Sequence, residues 1–210
     1  MTLPPLLMLT DRHQLPPGHA LREQVARAVE AGVRAVILRE RDLDDRARTE
    51  LARDLARVLT GAGGQLILAA PRLGLPHGVH LRADDPPPRE RPAVVGRSCH
   101  SEDEVRRARA EGVDFVLLGP VATTSSKPGY GPPLGMAGLR ELTAAHPSRD
   151  ASMMQPRIYA LGGVDASNAA DWIAAGADGV AVMGALMRAD DPGRVTSDLL
   201  SALPTAEVPA

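Results

Sequence analysis

Short apolar runs alternate with amphipathic stretches along almost the whole chain. Leu6–Leu9 and Ala35–Leu38 are apolar runs of strand length. Between them, Leu21, Val25, Ala28 and Val29 recur at helical spacing within residues 18–31. A second amphipathic stretch, residues 43–61, sets Leu51, Leu55, Val58 and Leu59 among arginines and acids. Residues 65–69 predict a third strand. Gly78–Leu81 predicts a fourth, reached through a segment too short for a full helix. Residues 93–96 predict a fifth. Ser101 then precedes Glu102, Asp103 and Glu104. A hydroxyl at the N-cap and acids in the first turn suit the unpaired amides and positive end of a helix. Phe115–Leu118 follows as a sixth strand, residues 120–135 as a Thr/Ser/Pro/Gly loop, and Arg157–Leu161 as a seventh strand. Residues 165–175 predict a helix, Gly179–Val182 an eighth strand, and residues 191–203 a last helix.

Eight strands with intervening helices predict an α/β protein built as a single (β/α)8 TIM barrel. The third helix is curtailed. The domain spans residues 1–203, with 204–210 as a tail, and a length of 210 residues sits near the short end for that fold. A doubly wound open sheet shares the local pattern, but the glycine fingerprint of a dinucleotide site is absent after the first strand.

Composition narrows the function. The formal net charge of −2 gives no strong positive field for nucleic acid. Aromatic residues are 2% of the chain, Phe115, Tyr130, Tyr159 and Trp172, too few for base-stacking platforms. The single cysteine, Cys99, excludes an internal disulfide framework and a cysteine-based zinc site. No apolar run approaches the ~20 residues of a membrane span, and Met1-Thr2-Leu3-Pro4-Pro5 lacks the basic region of a signal peptide. A cytoplasmic protein with no nucleic-acid or membrane partner is expected.

In such barrels the chemistry gathers at the C-terminal ends of the strands. Gly162-Gly163 follows the seventh strand and Met183-Gly184 the eighth. These loops are the common phosphate cradle of the fold, because glycine lets backbone amides approach the oxygens; two tight turns are the other reading. Arg39 and Arg41 follow the second strand on one side of the chain. Their guanidinium forks match phosphate, and ion pairs with Glu40, Asp42 or Asp44 are the alternative. Asp84 and Asp85 follow the fourth strand and read either as Mg2+ ligands or as a helix start before Pro86-Pro87-Pro88. His100, near Ser98 at the fifth strand's end, is a candidate proton shuttle. Cys99 beside it reads as a small apolar residue facing the barrel wall. The loop Thr123–Gly131, with Thr124, Ser126 and Lys127, is placed to fold over the mouth as a lid.

Seven segments in this order resemble the thiamine phosphate synthase/TenI family: Leu9-Thr10-Asp11, Leu38-Arg39-Glu40-Arg41, Gly78-Val79-His80-Leu81, Gly96-Arg97-Ser98-Cys99-His100-Ser101, Gly119-Pro120-Val121, Ala160-Leu161-Gly162-Gly163-Val164 and Gly179-Val180-Ala181-Val182. The resemblance implies a role in thiamine biosynthesis, with a phosphorylated thiazole held by Gly162, Gly163, Met183 and Gly184; a homodimer is the one protein partner considered. Synthases of the family couple a hydroxymethylpyrimidine diphosphate to thiazole phosphate with Mg2+ and release pyrophosphate. On that branch Thr124, Ser126 and Lys127 match the lid signature, Ser98 the family serine and Asp85 one metal-binding aspartate. TenI-type members instead aromatise a carboxythiazole phosphate by proton transfer, with no metal. Several positions depart from the synthase pattern: Ile37 replaces a glutamine, Arg41 a lysine, Ala69-Ala70 an Asn-Asp pair and Arg82-Ala83 a Gly-Gln pair. Arg39-Glu40-Arg41 is more similar to the TenI branch, where His100 would move the proton. A thiazole tautomerase is the first expectation, a divergent synthase the second, and a silent phosphate-binding barrel the third.

Overall fold

A computed structural model describes residues 3–69, 78–124, 132–145 and 155–204. Eight parallel strands close into a barrel in sequence order. They are β1 (Leu6–Leu9), β2 (Ala35–Leu38), β3 (Gln65–Leu68), β4 (Gly78–Leu81), β5 (Val95–Cys99), β6 (Phe115–Leu118), β7 (Arg157–Leu161) and β8 (Gly179–Val182). β1 closes the ring on β8 through Leu6↔Val180, Leu7↔Ala181 and Met8↔Val182. The helices are α1 (Leu21–Glu30), α2 (Asp45–Gly61), α3 (Glu102–Ala110), α4 (Gly135–Ala145), α5 (Ala169–Ala174), α6 (Gly184–Met187) and α7 (Pro192–Ser201). A 3-10 turn, Arg12–Gln14, follows β1.

The strands are apolar because both of their faces are covered. Alternate residues divide between two separate clusters. Met8, Val36, Leu38, Val116 and Ile158 join the helix residues Val25, Leu55, Leu139 and Leu199 in the outer layer. Leu7, Leu9, Ala35, Ile37, Ile67, Phe115, Leu117, Tyr159 and Ala181 fill the lumen. The lumen is a packed core with no room at its waist: a Cβ on Gly96 would lie 2.1 Å from the Phe115 ring.

The helices start where short polar side chains can hold the first free amides. Asp44 accepts from the Ala47 amide at 2.8 Å before α2, and Ser101 accepts from the Glu104 amide at 3.3 Å before α3. Asp191 does the same for the Arg194 amide at 3.1 Å before α7, whose first residue is Pro192.

Several sequence expectations shift. The fifth strand begins at Val95 rather than at residue 93, so Ser98 and Cys99 lie within it. The cause is Arg97, a fully buried guanidinium inside the strand, which breaks the apolar pattern. Asp84 and Asp85 start no helix, and none lies between β4 and β5. Arg97 occupies that gap instead. Its Nη1 donates to the carbonyls of Arg82, Ala83 and Asp85 at 2.9, 3.0 and 2.8 Å, and its Nη2 pairs with Glu111 at 2.6 Å. Residues 165–168 form a turn before α5 rather than its first coil. α4 falls in a stretch for which the sequence pattern predicts no element, and α6 follows β8 directly. The curtailed third connection, residues 70–77, and the tail beyond Pro204 lie outside the described residues.

Candidate active site

The C-terminal ends of the strands surround a cavity of about 570 Å³, within the usual range for a small-ligand site. Its floor is apolar, formed by Leu9, Leu117 and Ala181 from the lumen layer. Its wall is polar and rich in arginine: Arg39, Arg41, Arg82 and Arg188, with His80, Ser98, His100 and Thr124. Glycines 162, 163 and 184 and Met183 form the β7 and β8 side. His100, Arg39, Arg41, Ser98, Thr124, Gly162, Gly163, Met183 and Gly184 therefore share one cavity. Ser126 and Lys127 lie outside the described residues.

The acids near Arg39 and Arg41 turn elsewhere. Glu40 is buried and accepts from the Arg12 backbone amide at 3.2 Å and from Arg12 Nη1 at 3.0 Å. Asp42 takes Arg12 Nη1 and Nη2 at 2.6 Å each and His13 Nε2 at 2.8 Å. Asp44 caps α2. The expected alternative of ion pairs between Arg39 or Arg41 and these acids is thus overturned. Arg39 is fixed by its backbone amide on Thr10 Oγ1 at 3.0 Å, and its Nη1 lies 2.7 Å from Met183 Sδ. Arg41 Nε donates to the Ala69 carbonyl at 2.8 Å. Burial, then repulsion from Arg82 and Arg39, pulls the Arg41 guanidinium below its ordinary value. An anion placed among these arginines would relieve that repulsion.

His100 stands on the β5 side. Its Nδ1 meets the Gly119 carbonyl, and its backbone amide donates to Glu104 Oε2 at 2.5 Å. A carbonyl can only accept, so Nδ1 carries the proton and Nε2 is the basic nitrogen. Glu104 also belongs to the cap of α3, so the helix start positions the histidine. Cys99 points the other way, into the outer layer, as expected. Burial pushes its thiol up to about 12.

His80 carries a polar role that the sequence pattern left unassigned. It is buried, stacked on Phe115 with ring centroids 6.0 Å apart, and its Nε2 lies 3.3 Å from Ser98 Oγ. Burial first, then Arg41 and Arg39, drives its imidazole down to about 3. It is a neutral hydrogen-bonding group beneath the cavity. Its alternation with Arg82 on one side of β4 was the available signal. Arg188 offered none, because the four-residue α6 before it has no periodicity to read.

The residues do not fit a divalent cation. Asp84 lines the cavity, whereas Asp85 does not. The Asp85 carboxylate instead accepts the Arg82 amide at 2.8 Å and lies 3.8 Å from Arg82 Nε. Among the described residues no three His, Cys, Asp or Glu side chains come together as a metal site. Position 70, where the family resemblance expects the second carboxylate, is alanine. A hard cation wants several oxygen ligands, and the carboxylates on this wall are dispersed among the arginines: Asp84 stands apart, Glu104 accepts from the His100 amide and Asp165 from the Ser167 amide.

Residues 6–186 match the family described as thiamine monophosphate synthase. The chain belongs to this family. A Geobacter sulfurreducens protein, named provisionally as a thiamine-phosphate synthase, is 37% identical over 95% of this chain and 94% of its own. A Nostoc thiamine-phosphate synthase is 35% identical over 94% of this chain, which spans 59% of that longer protein. The thiamine phosphate pyrophosphorylase structure from Pyrococcus furiosus superposes with a TM-score of 0.78 over 94% of each chain at 24% identity, a likeness of fold. As a thiamine monophosphate synthase family member, the chain is an enzyme of thiamine biosynthesis. No helix among the described residues is long and apolar enough to cross a membrane.

Proposed function

We propose that this family member is a thiazole tautomerase, acting through one barrel domain over residues 1–203 with 204–210 as a tail. Its substrate is a carboxythiazole phosphate in a non-aromatic tautomer. The observation that carries the reading is the wall itself. Arg39 and Arg41 face the cavity without a carboxylate partner among the described residues, in the place where a synthase would hold a metal ion. Arg39 or Arg41 binds the substrate carboxylate bidentately. Gly162, Gly163 and Gly184, beside Met183, hold the phosphate from the opposite side, and Thr124 and Ser98 line the ring between them. Ser126 and Lys127, which lie outside the described residues, are assigned to the substrate on the family resemblance.

His100 moves the proton. Its Nε2 takes a proton from the sp3 ring carbon, and a proton returns to the far end of the conjugated system. The ring becomes aromatic with no atom gained or lost. No metal or organic cofactor enters these steps.

The decisive experiment follows the carboxythiazole phosphate by NMR with EDTA present and pyrimidine diphosphate absent. Conversion above the buffer rate is expected. His100→Asn removes the base and lowers turnover by ~10²–10⁴-fold, while phosphate binding stays. Full turnover in that variant removes His100 from the mechanism. The relatives' names and Asp84 on the cavity wall favour a second reading, a thiamine-phosphate synthase, in which Asp85 would have to leave its turn to reach a metal. Mg2+-dependent pyrophosphate release from the two coupling substrates, with no EDTA-resistant tautomerisation, establishes that reading instead.

A further inference from the structure

The β8 side of the cavity holds a cation that neither the tautomer chemistry nor the glycine turns require. Arg188 is the residue after α6, and its amide closes that turn on the Gly184 carbonyl at 3.0 Å. Its side chain folds back over the turn. A Cβ on Gly184 would lie 2.5 Å from both Nη1 and Nη2 of Arg188. The guanidinium therefore turns its Nη1–Nη2 edge toward the glycine, at the cavity wall that Gly162 and Gly163 also form. Any residue with a side chain at 184 would displace it.

The guanidinium is also oriented from the far side of the β1–β8 seam. Arg188 Nη1 donates to Gln14 Oε1, and Gln14 Nε2 donates to Asp11 Oδ2 at 2.7 Å. Asp11 is itself held, since it caps the 3-10 turn by accepting from the His13 amide at 3.2 Å. A chain of hydrogen bonds thus runs from the first strand's loop to the last. An arginine that only covered the surface would need no such support. A planar fork held in one orientation loses less rotamer freedom when it binds a tetrahedral anion.

We infer that Arg188 is a phosphate-binding residue of this enzyme, and that Gln14 is a positioning residue that acts through it. The inference rests on the phosphate subsite of the proposed function and names the side-chain charge within it. Glycine at 184 has a double use: it exposes backbone, and it makes room for the guanidinium.

The test is calorimetric titration of the full chain with inorganic phosphate in EDTA at low salt, so that no turnover is involved. Arg188→Ala is expected to weaken binding at least about tenfold, the loss of one charged hydrogen bond. Arg188→Lys should recover part of it, since charge returns without the fork. Gln14→Ala should weaken binding about threefold, as lost orientation of that group does, and should add nothing in the Arg188→Ala background. Arg22→Ala, which removes an exposed charge on α1, should leave binding unchanged. Equal affinity in the wild type and Arg188→Ala overturns the inference and leaves the phosphate subsite standing. Additive losses in the double variant overturn the role of Gln14. No phosphate binding by the wild type overturns the inference together with the subsite. Loss of turnover in His100→Asn bears on the tautomerase reading and leaves this titration unchanged.

Discussion

Arg12 reaches across from the loop after β1 to the buried carboxylate of Glu40 after β2, with Nη1 3.0 Å from Oε2 and its own amide 3.2 Å from Oε1. The same guanidinium takes Asp42 in a two-pronged contact at the rim. These hydrogen bonds raise Arg12 above its ordinary value and hold the Asp42 carboxyl well below the usual carboxylate range. The consequence lies one residue away on either side: Arg39 and Arg41 are left for the cavity.

Replacing Arg12 with alanine leaves Glu40 buried without its cation. Breaking a buried pair costs several kcal/mol, and the solvent-exposed end of this one reduces that to about 2 kcal/mol. The freed carboxylate then competes for Arg39 and Arg41. Arg12→Ala should therefore lower both the melting temperature and the affinity for anions. A variant with unchanged melting and unchanged phosphate titration would show that Glu40 has another partner.

His80 makes a pH prediction with a definite sign. Its imidazole is driven from the ordinary 6.5 down to about 3, by burial first and by Arg41 and Arg39 next. Between those values the unfolded chain binds a proton that the folded chain does not. Stability is present in full above pH 6.5 and is lost as the pH falls, by up to about 1.4 kcal/mol per pH unit from this group. His80→Gln keeps a hydrogen-bonding group for Ser98 and removes the titration. Urea melts of the wild type between pH 6.5 and 4.5 should fall more steeply than those of the variant. Parallel slopes would mean that the imidazole is protonated in the fold.

The Cys99 thiol, pushed up to about 12 by burial, is almost wholly protonated at pH 8. A thiol reagent should leave the native protein unlabelled at pH 8 and label one cysteine per chain in urea. Rapid native labelling would place the sulfur at the cavity rather than in the outer layer.

The barrel was legible in the sequence wherever a strand is buried on both faces. β1, β2, β6 and β8 fall where continuous apolar runs predict them. It was illegible where one residue departs from that rule. Arg97 hides the middle of β5, because a buried guanidinium whose Nη1 donates to three carbonyls and whose Nη2 pairs with Glu111 looks, in one dimension, like a loop residue. The same bonds explain why Asp84 and Asp85 start no helix, since their loop is tied to Arg97 instead. In the cavity, the strand-end rule brings His100, Arg39, Arg41 and Ser98 to one wall, but whether the arginines pair with Glu40 or Asp42 depended on Arg12, distant in sequence. Asp85 and Asp84 are adjacent, and only the turn decides which one faces the cavity.

Gly163 and Gly112 separate two costs that are usually mixed. Both have left-handed backbones, with φ of 68° and 67°. A Cβ on Gly112 meets nothing within 4 Å, whereas on Gly163 it would lie 2.5 Å from the Thr123 carbonyl and 2.8 Å from the Ala122 Cβ. Gly112→Ala therefore bears the conformational cost alone, about 1 kcal/mol. Gly163→Ala bears that cost and also pushes the Thr123 backbone, which lines the cavity with Thr124. It should destabilise by about 3 kcal/mol, since backbone displaced in a packed region costs typically 1–3 kcal/mol beyond the conformational penalty. It should also weaken phosphate binding, which Gly112→Ala leaves alone. Urea denaturation of the two variants, with phosphate titrations beside it, measures both differences. Equal losses in the two would mean that the β7 turn yields freely to a methyl group, and the close approach of Gly163 to Thr123 would then have no bearing on the site.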